Sequence, residues 1–193
     1  MSTATLPPRK DVNPGDCWDL TSLCVDDDAW ELDFKKLEEQ IPTYETFRGR
    51  LAESAEVLHA ALAFDSDFEQ IAERLGTYAF LKTTEDQANS KYQALKARYQ
   101  NLAVRASQAA SFMRPEILAI DADTMATLMS DERLELYRLL LERLVRYRSH
   151  TLSDNEERLL AMQGEMASAA GNAFRQLNDA DLRFGEVEDH TGR

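Results

Sequence analysis

Residues 143–193 read RLVRYRSHTLSDNEERLLAMQGEMASAAGNAFRQLNDADLRFGEVEDHTGR, and this stretch sets the expected fold class. Ser153 followed three residues later by Glu156 has the form of a capping box, the serine oxygen accepting from the Glu156 backbone N–H. Asp154, Glu156 and Glu157 crowd the first turn, where the helix dipole favours negative charge. Leu159, Leu160, Met166, Ala170, Phe174 and Leu177 then recur at helical spacing as an apolar face. A second stripe, Ala161, Gly164, Ser168 and Gly171, holds only small side chains. Glycine inside a helix costs roughly 1 kcal/mol against alanine, so this stripe predicts close approach of another element. The helix is expected to give way at Asn178-Asp179-Ala180-Asp181. Leu182-Arg183-Phe184 alternates as a strand does, Gly185 shifts the pattern to Val187, and Asp189-His190-Thr191-Gly192 has turn composition. With only Arg193 beyond it, that strand is expected to lack a partner.

Upstream, the chain reads as helix after helix. Asn13-Pro14-Gly15 closes an N-terminal tail, residues 1–15, expected to be disordered. Trp18, Leu20 and Leu23 form an expected anchoring segment. Asp26-Asp27-Asp28 opens a helix carrying Trp30, Phe34, Leu37 and Ile41 on one face, stopped or kinked by Pro42. A short piece carries Tyr44, Phe47 and Leu51. Residues 54–63 are helical by composition, and Asp65-Ser66-Asp67 is expected to interrupt them, with Ser66 and Glu69 offering a new cap. The next helix would bury Phe68, Ile71, Leu75 and Tyr78. Tyr92, Leu95, Tyr99, Leu102, Ala106, Ala109 and Met113 step by threes and fours as one sustained helix up to Pro115. Met125, Leu128 and Met129 mark a short connector. A long helix over 131–147 would turn Leu134, Tyr137, Leu141 and Leu144 inward. The fold expected is therefore mainly α, an array of about six antiparallel helices with a C-terminal orphan β-strand.

Several strings in this chain are more specific than composition. His150-Thr151-Leu152-Ser153, Glu156-Glu157-Arg158-Leu159-Leu160-Ala161, Phe174 and Leu177-Asn178-Asp179-Ala180-Asp181-Leu182-Arg183-Phe184 together resemble the oligoendopeptidase F family. Those are zinc metallopeptidases related to thimet oligopeptidase. Trp18-Asp19-Leu20 followed by Trp30 is similar to that family's N-terminal opening, so the resemblance runs from about Cys17 onward. The family's His-Glu-x-x-His helix does not occur in the 193 residues. The resemblance therefore implies that residues 16–193 are the helical N-terminal domain of a longer peptidase. It implies zinc in the full-length parent and none in this chain. It also implies short peptides and the catalytic remainder of the polypeptide as partners.

Charge and cysteine usage narrow the surroundings. The formal charge is −13, which argues against nucleic acid or an anionic membrane as partner. Cys17 and Cys24 match neither a Cys-x-x-Cys pair nor a cluster, so they are expected as free thiols, in keeping with a reducing cytoplasm. The N-terminus lacks the apolar run of a signal peptide, and no stretch is apolar enough to span a bilayer.

No catalytic, cofactor-binding or metal-ligating residue is assigned from the sequence. Glu56-Val57-Leu58-His59 matches Glu-x-x-His, but a di-iron bundle needs two such motifs plus two more carboxylates. His59, His150 and His190 lie in three separate segments, far from the convergence catalytic zinc requires. No nucleophile elbow and no glycine-rich phosphate loop occurs. Lys91, Lys96, Arg98, Arg105 and Arg114 form a basic run without any acid between Asp86 and Glu116. They either face acidic neighbours as exposed ion pairs or line a cleft that attracts substrate carboxylates. Tyr78, Tyr92 and Tyr99 fall on apolar stripes and read as core. Two functions follow: a non-catalytic wall of a peptidase cleft, or a self-contained acidic helical interaction module.

Overall fold

The computed structural model describes residues 11–86, 89–148, 169–171, 173–174 and 177. They divide into two compact units, residues 1–146 and 147–193. Within the described residues of the first unit the regular structure is helical throughout: α1 (Asp27–Gln40), α2 (Ala55–Glu85), α3 (Ser90–Ala110), α4 (Met113–Ala119), α5 (Ala122–Met129) and α6 (Arg138–Arg146), with three short 3-10 segments.

Helix α1 starts where the acidic run predicts. Asp26 is its N-cap and accepts from the Ala29 N–H at 2.7 Å, while Asp27 and Asp28 occupy the positive end of the dipole. Trp30, Phe34 and Leu37 are buried from one face, and the Trp30 and Phe34 rings stack at 4.8 Å. The helix ends at Gln40, and Pro42 sits in a 3-10 segment, Ile41–Thr46.

Helix α2 is the spine. Ser54 caps it, accepting from Val57 N–H at 3.2 Å, and it runs 31 residues without a break, about 46 Å at 1.5 Å per residue. The interruption expected at Asp65-Ser66-Asp67 does not occur. Tyr44, fully buried, lies edge-on to both Phe64 and Phe68, with centroids 4.9 and 5.4 Å away. Its hydroxyl donates to Asp65 Oδ1 at 2.9 Å. Holding 64, 65 and 68 around one ring requires helical spacing at that point, so tertiary packing overrides the local capping pattern.

Helix α3 is capped by Asn89, whose side chain accepts from Lys91 and Tyr92 N–H. It buries Leu95, Leu102 and Ala106, with Tyr99 and Ala109 partly covered. It stops at Ala110, earlier than the seven-residue stripe implies; Met113 and Arg114 belong to α4. Pro115 lies in the first turn of α4, where its missing N–H would have had no helical partner.

Three pairs fix direction. Going up α1, Asp27, Trp30 and Asp33 meet Tyr78, Leu75 and Arg74 in descending order, so α1 and α2 are antiparallel. Descending α2, Lys82, Phe80 and Gly76 meet Tyr92, Lys96 and Tyr99, so α2 and α3 are antiparallel as well. Gly76 is required there, because a Cβ at that position would lie 2.4 Å from the Tyr99 ring.

The remaining helices close the end of the spine. Glu116 on α4 accepts from the N–H groups of Gly49 and Leu51, both at 2.8 Å, pinning a turn in which Gly49 holds φ +76°. Asp121 caps α5, which buries Met125 and Leu128. The single helix expected over 131–147 is two pieces: a 3-10 segment, Glu132–Tyr137, then α6. Trp18 is not an anchor: it is 80% exposed, while Leu20 and Leu23 pack against the core.

In the second unit, residues 169–171 and 173–174 are helical, as expected of the last long helix. Ala170, Phe174 and Leu177 are exposed there, and among the described residues a Cβ at Gly171 would meet nothing within 4 Å. The Ser153/Glu156 cap, Gly164 and the 182–184 strand lie outside the described residues.

Candidate functional site

The basic run on α3 is the one charge feature with two live readings, and α1 settles where most of it points. Lys91 pairs with Asp27, Arg98 grips Glu31 through two bonds of 2.7 and 3.0 Å, and Arg105 reaches Glu38 at 2.5 Å. Acids at 27, 31 and 38 thus face cations at 91, 98 and 105 along two helices of the same direction. Arg98 also lies over the Phe34 ring at 4.5 Å, and Lys96 over Phe80 at 5.5 Å. The ladder is the structural reading of this charge run; three of its cations already hold carboxylates.

The electrostatics of the ladder follow from these contacts. Burial alone would raise the Asp27 carboxyl, but bonds from Lys91 and the Tyr78 hydroxyl outweigh it and hold the group below its ordinary value. The Arg98 fork holds Glu31 low in the same way, and Glu31 raises Arg98 in return. Burial, followed by its bond to Asp27, pushes the Tyr78 phenol well above its ordinary value. That hydroxyl is a fixed donor rather than an acid poised to transfer a proton.

The Glu56/His59 pair is not drawn together as a ligand set. Glu56 is mostly exposed and 3.8 Å from Arg133, while His59 meets the edge of the Tyr137 ring at 5.7 Å. Among the described residues no three of His, Cys, Asp and Glu converge as metal ligands. Neither Cys17 nor Cys24 is in a disulfide, and burial raises the Cys24 thiol above its ordinary value. His150 and His190 lie outside the described residues.

One surface feature had no motif to announce it. A groove of about 380 Å³ runs between the segment before α1 and the end of α2, lined by Val12, Trp18, Leu20 and Leu81 together with Cys17, Thr84 and the carboxylates of Asp16 and Glu85. Its signal in the sequence is a tryptophan in a segment without helical period. Its lining mixes apolar side chains with two carboxylates and a thiol, an amphipathic surface to which no reaction is assigned.

Comparison with known proteins agrees with this shape. The family model described as Oligopeptidase F matches residues 116–184. Oligopeptidase PepF of Bacillus subtilis (strain 168) is 36% identical over 188 residues, 97% of this chain and 28% of that protein. Group B oligopeptidase PepB of Streptococcus agalactiae is 32% identical over 176 residues, 91% of this chain and 29% of its own length. The crystal structure of oligoendopeptidase-F from Enterococcus faecium superposes with a TM-score of 0.63 at 34% identity, covering 86% of this chain and 32% of that one. This chain therefore spans less than a third of the relatives it matches. Its sequence and its fold match the N-terminal region of oligoendopeptidase F family peptidases.

Proposed function

We propose that this chain is the non-catalytic N-terminal part of a cytoplasmic zinc metallo-oligoendopeptidase that hydrolyses short peptides, and that it forms one wall of the substrate cleft. The observation carrying this reading is the match to Bacillus subtilis PepF, which takes in 97% of the chain and 28% of that relative. The physical character of the surface agrees with a wall. Lys91, Arg98 and Arg105 of α3 are engaged by α1, and the Tyr44 and Tyr78 hydroxyls are bound donors. Zinc in such an enzyme polarises the peptide carbonyl and activates water; its ligands would come from polypeptide other than the residues described here. A rigid helical wall selects short peptides by shape, because a folded substrate cannot enter between stiff walls.

The test is the metal and the activity of the 193-residue chain itself. It is expected to hold no stoichiometric zinc by mass spectrometry and to leave a quenched fluorescent peptide intact. Stoichiometric zinc together with chelator-sensitive cleavage would place the reaction centre in this chain and overturn the proposal.

A further inference from the structure

Exposed large apolar side chains are not spread evenly over the first unit. From residue 11 to 135 they are scattered singly: Trp18, Val25, Leu32, Phe80 and Val104. Such isolated residues are ordinary on any protein surface. At its end they gather. Leu136, Leu139 and Leu140 are 81%, 58% and 46% exposed, on the 3-10 segment and the first turn of α6.

Their spacing puts them together. Positions i, i+3 and i+4 share one side of a helical segment, whereas Leu134 and Leu141 are buried from the other side. This short amphipathic element therefore carries apolar side chains on two faces, and only one of them is spent on the core. Clustered exposed leucines on a small element mark an interaction surface more often than a free one. The flanking charges, Arg138 paired with Glu135 and Arg133 near Asp131, form a polar rim around the patch.

We propose that Leu136, Leu139 and Leu140 form the docking face for the polypeptide by which the relatives exceed this chain. The inference rests on the reading of this chain as part of a longer peptidase. Its occupant is argued from length: the aligned part takes in 28% of PepF and 29% of PepB, so most of each relative lies outside it. A remainder of that size offers the area of a standard protein interface, roughly 800 Å² on each partner. It contacts the leucines through an apolar surface of its own. No pairing of charges is required at the centre of the face, which carries none.

Thiol labelling tests this. Leu136→Cys, Leu140→Cys and, as control, Val104→Cys are prepared in the 193-residue chain. They are also prepared in a chimera in which this chain replaces the aligned region of Bacillus subtilis PepF. Maleimide reaction at each site is followed by peptide mapping, which separates it from Cys17 and Cys24. All three sites are expected to react fast in the 193-residue chain. In the chimera, 136 and 140 should slow at least tenfold while 104 does not change. Equal rates in both contexts, in a chimera that cleaves peptides, would overturn the docking face and leave the proposed function standing. Slow reaction at 136 and 140 already in the 193-residue chain would also overturn it, because the face would then be covered from within. A folded chimera with no cleavage and no protection would instead overturn the reading on which the inference rests.

Discussion

Gly76 and Tyr99 show how one absent methyl positions two helices. The α2 backbone at Gly76 admits the tip of the Tyr99 ring, and a Cβ there would come within 2.4 Å of it. Alanine favours a helix interior over glycine by roughly 1 kcal/mol, so Gly76→Ala would stabilise an isolated α2. In the folded chain the ring must instead swing away and lose its packing. Gly76→Ala is expected to lower stability in urea by about 1 kcal/mol. In a Tyr99→Ala background the same change should raise it. The two effects having the same sign would show that ring and glycine are not coupled. Gly76 has no signature in the sequence, because a lone glycine within a helical pattern looks the same whether it faces a ring or water.

At the scale of elements, sequence and structure part company where two cap signals compete. Ser54 and Ser66 both precede a plausible first turn, and only Ser54 is used. Ser54→Ala is expected to cost roughly 0.5–2 kcal/mol, the usual loss of an N-cap. Ser66→Ala should be neutral or slightly stabilising, since it replaces a helix-interior serine with the better helix former. Equal losses at both would restore a break at Asp65. The helix faces of α1, α2 and α3 were legible because Trp30, Phe34, Phe68, Leu75 and Leu102 repeat with the helical period. The continuity of α2 was not, since it depends on Tyr44 arriving from another segment.

The ion-pair ladder supplies the pH dependence. Asp27 and Glu31 have carboxyls held below their ordinary values, so the stability they confer is complete above the ordinary carboxylate range. It is lost as pH falls through their depressed values. These are partly exposed pairs, each worth about 0.2–1 kcal/mol. Arg98 adds its stacking on Phe34, so Arg98→Ala is expected to cost about 1 kcal/mol at pH 7. The difference from wild type should shrink as pH falls below the ordinary carboxylate range and in high salt, and Arg98→Lys should recover less than the whole, lacking the fork. A loss independent of pH and salt would mean that the ladder contributes packing alone. Acids on α1 and bases on α3 were visible in sequence, but their register became visible only once α2 had set the two helices side by side.

For the whole molecule, the role proposed for this chain is that of a structural part of an oligoendopeptidase. Its fold class was readable from helical periods, and its kinship from strings such as 177–184. The helical period assigns Leu134 and Leu141 inward, but nothing in the sequence says that Leu136, Leu139 and Leu140 stay exposed together. The most direct measurement is hydrolysis of a quenched fluorescent short peptide by the chimera that carries this chain in place of the aligned region of Bacillus subtilis PepF. The account predicts chelator-sensitive cleavage by the chimera, and none by the PepF remainder when this region is deleted. A chimera that folds, with a single cooperative melt, yet cleaves nothing would contradict it.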